Sequence, residues 1–479
     1  MDQFDDMDNL EMEELAQRFQ NAVDHGQTFY FENTDIQDVI GYFLETGDLK
    51  YCEKAITYAM QTYPKDPYIR LLRSKYFSLQ QKYVDAEREL DYVEGHFAPI
   101  PELYIEKVIL AHMCNRDVNA IELLKKSLAL NEDIPETHLL LMHEYLLRDK
   151  RQKAVDHAIR AIQLDQYAAE DIKNIFVDFA ELQDPKDQLL VSFFKDLTEE
   201  LPLFGSLWSG LGLAYIGIGD YASAIDAFQL QLSVDPDEPL AYVNIAESYY
   251  GMREYERAIE YFKLANDHCN VLQFSIQIGR CYFQLKEYDT ALQYFLQAKK
   301  EDPIYATYVL PDIVHVFKMQ DRLDEARAYV REHLRRVPDD FIAMEELIGL
   351  LDPVRDAEEM KEWCYTAITA IDYEIVQFFD FIIPFCYYND CADLGIELCQ
   401  NYFEDPSMKG CVHYYLSLMY IKKGDMELGC QCLEDAILLD AEKIGVCFLD
   451  IDPNLRTLPE VERLIRNSFP VQDSNEQYS

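Results

Sequence analysis

Two glycine pairs, Gly210-Leu211-Gly212 and Gly217-Ile218-Gly219, are the first residues here whose spacing could do chemistry, since closely set glycines can cradle a phosphate. They lack the spacing of a P-loop or a dinucleotide fingerprint, and no strand pattern precedes them. A backbone role is the reading they leave. Cysteine gathers late in the chain, at Cys364, Cys386, Cys391, Cys399, Cys411, Cys430, Cys432 and Cys447, but no Cys-x-x-Cys pair suited to zinc occurs. Buried reduced thiols are expected. His138 and His143 stand five apart rather than the four that sets two imidazoles on one helical face, and no His-Glu-x-x-His or Gly-x-Ser-x-Gly appears. Carboxylates are so abundant that no pair singles itself out as acid and base. No catalytic residue, metal or cofactor is therefore nominated, and a non-enzymatic chain is expected.

The glycines make sense once the elements around them are read. Gly205 to Glu238 carries Trp208, Leu211, Gly212, Tyr215, Ala224, Phe228 and Pro236. Pro239 to Leu272 sets Tyr242, Ile245, Ala246, Tyr249, Ala258, Phe262 and Ala265 at matching places. Leu272 to Tyr305 offers Ile278, Gly279, Tyr282, Ala291, Phe295, Ala298 and Pro303. Gly212, Ala246 and Gly279 fall midway along a first helix, and Ala224, Ala258 and Ala291 early in a second, so two antiparallel helices can approach closely. Gly219-Asp220 turns the chain between them, and Pro236 or Pro303 stops the second helix.

Bulky, Leu-Gly, Tyr, Ala, Phe and Pro at these slots, repeating about every 34 residues, closely resemble the tetratricopeptide repeat. The resemblance implies an all-α, right-handed α-solenoid, or superhelix, of tandem antiparallel helix pairs. Stepping the pattern outward places the small-residue slot of the second helix on Cys52, Ala86, Ala120, Ala154 and Gln188 before the central copies. After them it falls on Ala326, Met360, Gly395 and Gly429, which makes about twelve units. Gln188 and Met360 are not small, and Asp184-Pro185 and Asp352-Pro353 interrupt the expected helix ends, so altered packing is expected at both places. The expected organisation is an acidic tail and lead-in helix over 1–32, an array over 33–443 with irregular units near 169–204 and 341–375, and a capping helix and disordered tail over 444–479. Leu10, Leu15, Phe19 and Val23 give the lead-in helix its apolar face.

Composition bounds the partners. With 43 Lys+Arg against 88 Asp+Glu the net charge is -45, which repels nucleic acid and anionic membranes, so neither is expected to bind. No apolar run reaches the length of a bilayer span. The first fourteen residues hold seven acids and no base, the reverse of a secretory signal, and point to a cytoplasmic location.

In the resembled family, first helices line a groove that receives a peptide or helix of a protein partner. Carried over slot by slot, the groove candidates are Glu247, Tyr250, Arg280, Phe283, Gln284, His315 and Lys318, with Lys75, His112, His143 and Lys173 in earlier units. On one reading the aromatics hold apolar residues of the segment while Arg280 takes its carboxylate. On the other these are ordinary surface residues. The expected function is a protein-interaction scaffold. Self-association through exposed end repeats is the alternative, an enzyme whose active site is not visible in sequence is the less favoured one, and the partner's identity is not legible.

Overall fold

In the computed structural model the described residues run from 5 to 468, apart from 27–29, 117, 182–186, 270–273, 302–304, 371–374, 404, 406–407 and 409. Asp184-Pro185, Pro303 and the C-terminal tail therefore lie outside them. The described residues form helices joined by short turns, with no strand among them, in two compact units, Met1–Arg253 and Glu254–Ser479.

The first unit opens with the helix Asp5–Asp24, whose Phe19 is buried against Phe31, Phe43 and Tyr58 at ring separations of 5.8, 6.1 and 6.5 Å. Helix pairs follow at Asn33–Glu45 with Leu49–Thr62, Pro67–Leu79 with Tyr83–His96, Pro101–Met113 with Ala120–Leu130, and Pro135–Leu147 with Arg151–Leu164. Ala168–Glu181 with Asp187–Glu200, Gly205–Gly217 with Tyr221–Val234, and Pro239–Gly251 complete it. The second unit begins at Tyr255–Cys269 and continues with Phe274–Gln284 and Tyr288–Glu301, then Leu310–Met319 and Leu323–Arg336. Phe341–Leu350 with Ala357–Ala370, Ile375–Tyr388 with Ala392–Asn401, and Val412–Lys423 with Met426–Leu439 follow. Both units are all-α solenoids of tandem antiparallel helix pairs.

Four prolines, Pro67, Pro101, Pro135 and Pro239, open first helices at a position where the missing N–H has no partner to lose. Each regular turn between the two helices contains one left-handed residue: Gly47, Gln81, Asn115, Asp149, Gly219 and Arg253 in the first unit, and Lys286, Asp321, Asp390 and Gly424 in the second. At Gly219 the φ is +75, and the backbone N–H groups of Gly219 and Asp220 close back on Ile216 and Tyr215. Asp220 then caps the next helix, its side chain accepting from the Ser223 N–H at 3.2 Å.

The small-residue slot is the fourth residue of most second helices, and Cys52, Ala86, Ala154, Ala224, Ala258, Ala291 and Ala326 are all fully buried there, while in Ala120–Leu130 it is the first residue, Ala120, 1% exposed. Four residues on, Phe228 and Phe295 point into the first helix of the same pair, over Gly212 and Gly279. A Cβ on Gly212 would fall 2.4 Å from Phe228, and one on Gly279 would fall 2.7 Å from Phe295. The ring occupies the volume the glycine leaves, and its burial contributes about 1.5–3 kcal/mol.

One sequence expectation is corrected. Gln188 is exposed, and the fourth residue of its helix is Leu190, 1% exposed. The pattern lags there by two residues, so Leu190 fills the crossover and Phe194, four residues later, lies over Gly210 of the following helix. Met360 does occupy its slot, 1% exposed. The turn before it is rebuilt around Asp352, whose carboxylate accepts from the N–H groups of Val354 and Arg355, each at 2.9 Å. The first helix of that pair ends early, at Leu350.

After Leu439 come short turns and the helix Pro459–Ser468, with Phe448, Leu455 and Val461 buried. Tyr387 donates to Asp452 at 2.6 Å and ties this segment to the array. No helix among the described residues is long and apolar enough to cross a membrane.

Gly212→Ala is expected to lower stability by about 1–3 kcal/mol through overpacking against Phe228. Gly349→Ala, in open space on the helix Phe341–Leu350, is expected to raise it by about 0.5–1 kcal/mol. Urea unfolding of the two variants beside the parent checks this, and equal shifts of one sign would show that the crossover is not tight.

Candidate functional site

Where first helices of successive pairs lie side by side, one face of each is left outside the crossovers. In the second unit this face is built from Phe274–Gln284, Leu310–Met319 and Phe341–Leu350, and it holds most of the residues nominated from sequence. Arg280 is exposed and donates through Nη2 and Nε to one carboxylate oxygen of Asp312, at 2.9 and 3.1 Å. Phe283 is half-buried, its ring 4.6 Å from that of His315 and 5.4 Å from that of Tyr288. Lys318 reaches Glu346 at 3.1 Å. Gln284 is exposed beside this group.

Glu247 and Tyr250 belong to the first unit, on the helix Pro239–Gly251. Glu247 keeps access to solvent, yet burial by the wall around it raises its carboxyl above the ordinary range. Tyr250 is half-buried.

The residues nominated in earlier units can be placed in the same way. Lys75 Nζ lies 2.9 Å from Glu106 Oε1, and His112 Nε2 lies 2.8 Å from Glu144 Oε1, which Arg148 also reaches through its other oxygen. Lys173 pairs within its own helix, with Glu170. His143 places its ring 6.2 Å from that of His112. Three cations, Lys75, Arg280 and Lys318, and the imidazole of His112 thus meet an acid on the first helix of the next pair.

These acids are what sequence reasoning missed. Each lies roughly one repeat downstream of its cation, a signal hidden by the abundance of carboxylates. Because Arg280 already holds Asp312, a carboxylate from a partner would share the guanidinium with it or displace it. The ladder leaves Glu345 over: it is half-buried, no hydrogen bond or ion pair is recorded for it among the described residues, and burial, reinforced by Glu346, raises its carboxyl to about 7.

Other titratable groups were not read from spacing. His138 and His157, 19 residues apart on paired helices, set their Nδ1 atoms 2.9 Å from one another, and burial first, then His138, lowers His157 to about 4. Cys411 is buried with Lys443 Nζ 3.4 Å from its sulfur. A hydrogen bond from Cys447, helped by Lys443, pulls the Cys411 thiol down to about 6 against the effect of burial. Among the described residues no group of three or more His, Cys, Asp or Glu is placed to hold a metal ion.

A family model described as anaphase-promoting complex, cyclosome, subunit 3 matches residues 218–298, and the tetratricopeptide repeat model matches residues 412–443. No curated protein matches the chain. Similar solved structures include yeast Tom70, at 15% identity over 96% of each chain with a TM-score of 0.36. PilF of Pseudomonas aeruginosa matches at 19% identity over 42% of this chain and 92% of its own, with a TM-score of 0.27. Human IFIT1, solved as a dimer with m7Gppp-AAAA, matches at 14% identity over 90% of this chain and 95% of its own, with a TM-score of 0.33.

The raised carboxyl of Glu345 sets a pH dependence. Below about 4.5, its ordinary value, the group is neutral whether folded or unfolded and costs nothing. As pH rises from there through about 7 the folded state increasingly resists ionisation, so stability is lost. Glu345→Gln should therefore melt with the parent at pH 4 and above it at pH 8. Thermal melts across that range check it, and a constant difference would remove the argument.

Proposed function

We propose that this chain, a member of the tetratricopeptide repeat family, is a non-enzymatic interaction scaffold whose first-helix face receives a peptide or helix of a protein partner. Helical repeats of this type are typical of such scaffolds. The observation that carries the finer reading is the juxtaposition of the Phe283 and His315 rings, 4.6 Å apart, between two ion pairs, Arg280 with Asp312 and Lys318 with Glu346. Half-buried aromatic surface framed by charge offers an apolar anchor and a polar rim, the arrangement that concentrates binding energy in few residues. Glu247, Tyr250 and Gln284 extend the candidate surface.

Several further parts of the reading rest on composition. The charge of -45 disfavours nucleic acid and anionic membranes as partners, and a cytoplasmic setting suits the reduced cysteines. No cofactor is assigned.

A second reading, self-association, is favoured by Leu438, Leu439 and Val446, which are 79%, 51% and 66% exposed near the end of the array. Light scattering decides it: a monomer at working concentration sets it aside.

The scaffold reading is tested by affinity capture from the native cell with the parent and with Arg280→Ala/Phe283→Ala. The variant is expected to keep its helical circular dichroism and lose about tenfold or more of at least one partner, the effect of about 1.4 kcal/mol at a binding hot spot. Unchanged capture of every partner would reject this surface.

A further inference from the structure

The first unit contains a cavity of about 340 Å³, in which Lys75 is the one lining residue nominated from sequence. It opens among the first helices Asn33–Glu45, Pro67–Leu79 and Pro101–Met113, with Met12 of the leading helix at one side and Glu136 of Pro135–Leu147 at the other. Leu71 and Ile105 are buried in its lining, 4% and 1% exposed, and Tyr42 and Tyr68 supply aromatic surface. Asp38, Glu45, Glu102, Glu106 and Glu136 all contribute to the same lining.

Its charge is not balanced from within. Lys75 is the one cationic lining residue, and it is committed to Glu106, whose side chain is only 8% exposed, at 2.9 Å. Burial raises the Glu106 carboxyl, against the pull of Lys75. Four carboxylates remain. One of them, Glu102, holds its Oε2 out of solvent with no hydrogen-bond donor in reach. An orphaned carboxylate oxygen is costly to desolvate, and a donor arriving with a positive charge would remove that cost.

We propose that this cavity seats an arginine or lysine side chain presented by a basic segment of a protein partner. The fit is of three kinds. The volume suits one long side chain with its flanking backbone. The aliphatic stem would lie along Leu71, Leu72 and Ile105, while the charged head meets Glu102 and Glu136 and the faces of Tyr42 and Tyr68. A planar guanidinium, with five donors, satisfies Glu102 better than a compact ammonium does, so arginine is preferred. The acidity of the whole chain would steer such a segment inward before contact.

The proposal rests on the reading that first-helix faces bind protein segments, but it concerns the other compact unit. Its test is therefore separate from that of Arg280 and Phe283. Fluorescence anisotropy is measured with a fluorescein-labelled peptide carrying one arginine between leucines, and with the same peptide carrying neutral citrulline instead. The arginine peptide is expected to bind saturably, with citrulline at least tenfold weaker. Glu102→Gln/Glu136→Gln, which leaves the Lys75–Glu106 pair in place, is expected to weaken the arginine peptide at least tenfold. Glu199→Gln/Asp226→Asn, the same change of charge at exposed positions elsewhere in the unit, is expected to leave it within twofold.

Equal binding of the two peptides, equal losses in the two double variants, or no saturable binding at millimolar peptide would each overturn the proposal. Displacement of the peptide by spermidine at equimolar concentration would reassign the cavity to a free polyamine and also overturn it. Capture of partners through Arg280 and Phe283 would survive any of these outcomes.

Discussion

Close approach of two antiparallel helices at one small side chain is the constraint on which the rest depends. The crossover residue in the first turn of each second helix is the pivot, and the side chain one turn later fills the space opposite. Where that side chain is Phe228 or Phe295, the facing residue is glycine, and a Cβ there would fall 2.4 or 2.7 Å from the ring, so that one of the two would have to shift. The first and second helices of a pair therefore cannot vary independently. A residue such as Leu190 at the pivot is tolerated because the next ring, Phe194, turns to a glycine in the following pair instead.

With the crossovers occupied by packing, the outer face of the first helices is free to carry charge. It does so in an ordered way: a cation on one helix meets an acid on the next, as in Lys75 with Glu106 and Arg280 with Asp312. Such pairs contribute little stability when exposed, and their main effect is to fix the lateral register of neighbouring helices. They also neutralise most of the positive charge on that face. What remains is acidic and partly desolvated, at Glu102 in one unit and Glu345 in the other.

Legibility divides along the same line. The pivots Ala224, Ala258 and Ala291 and the turn at Gly219 were open to sequence reasoning because each is a local requirement, recurring at a fixed interval. At Gln188 the sequence marked an irregularity, since Gln188 is not small and Asp184-Pro185 falls nearby, but counting by a constant step could not show that the slot moves two residues on, to Leu190. The partners of Arg280 and Lys75 escaped for a different reason. Pairing across neighbouring first helices depends on their lateral offset, and a chain with 88 acids offers many equivalent choices in one dimension.

Sequence alone determined that helices pair, that they cross at small residues in the central copies and that Gly219-Asp220 turns the chain, since these follow from side-chain volume and backbone conformation within one repeat. It also set the excess of negative charge. Only the tertiary structure decided which carboxylates are answered by a cation and which are left facing a cavity. Those outcomes depend on distances of a few ångströms between helices about 34 residues apart, and no periodicity along the chain encodes them.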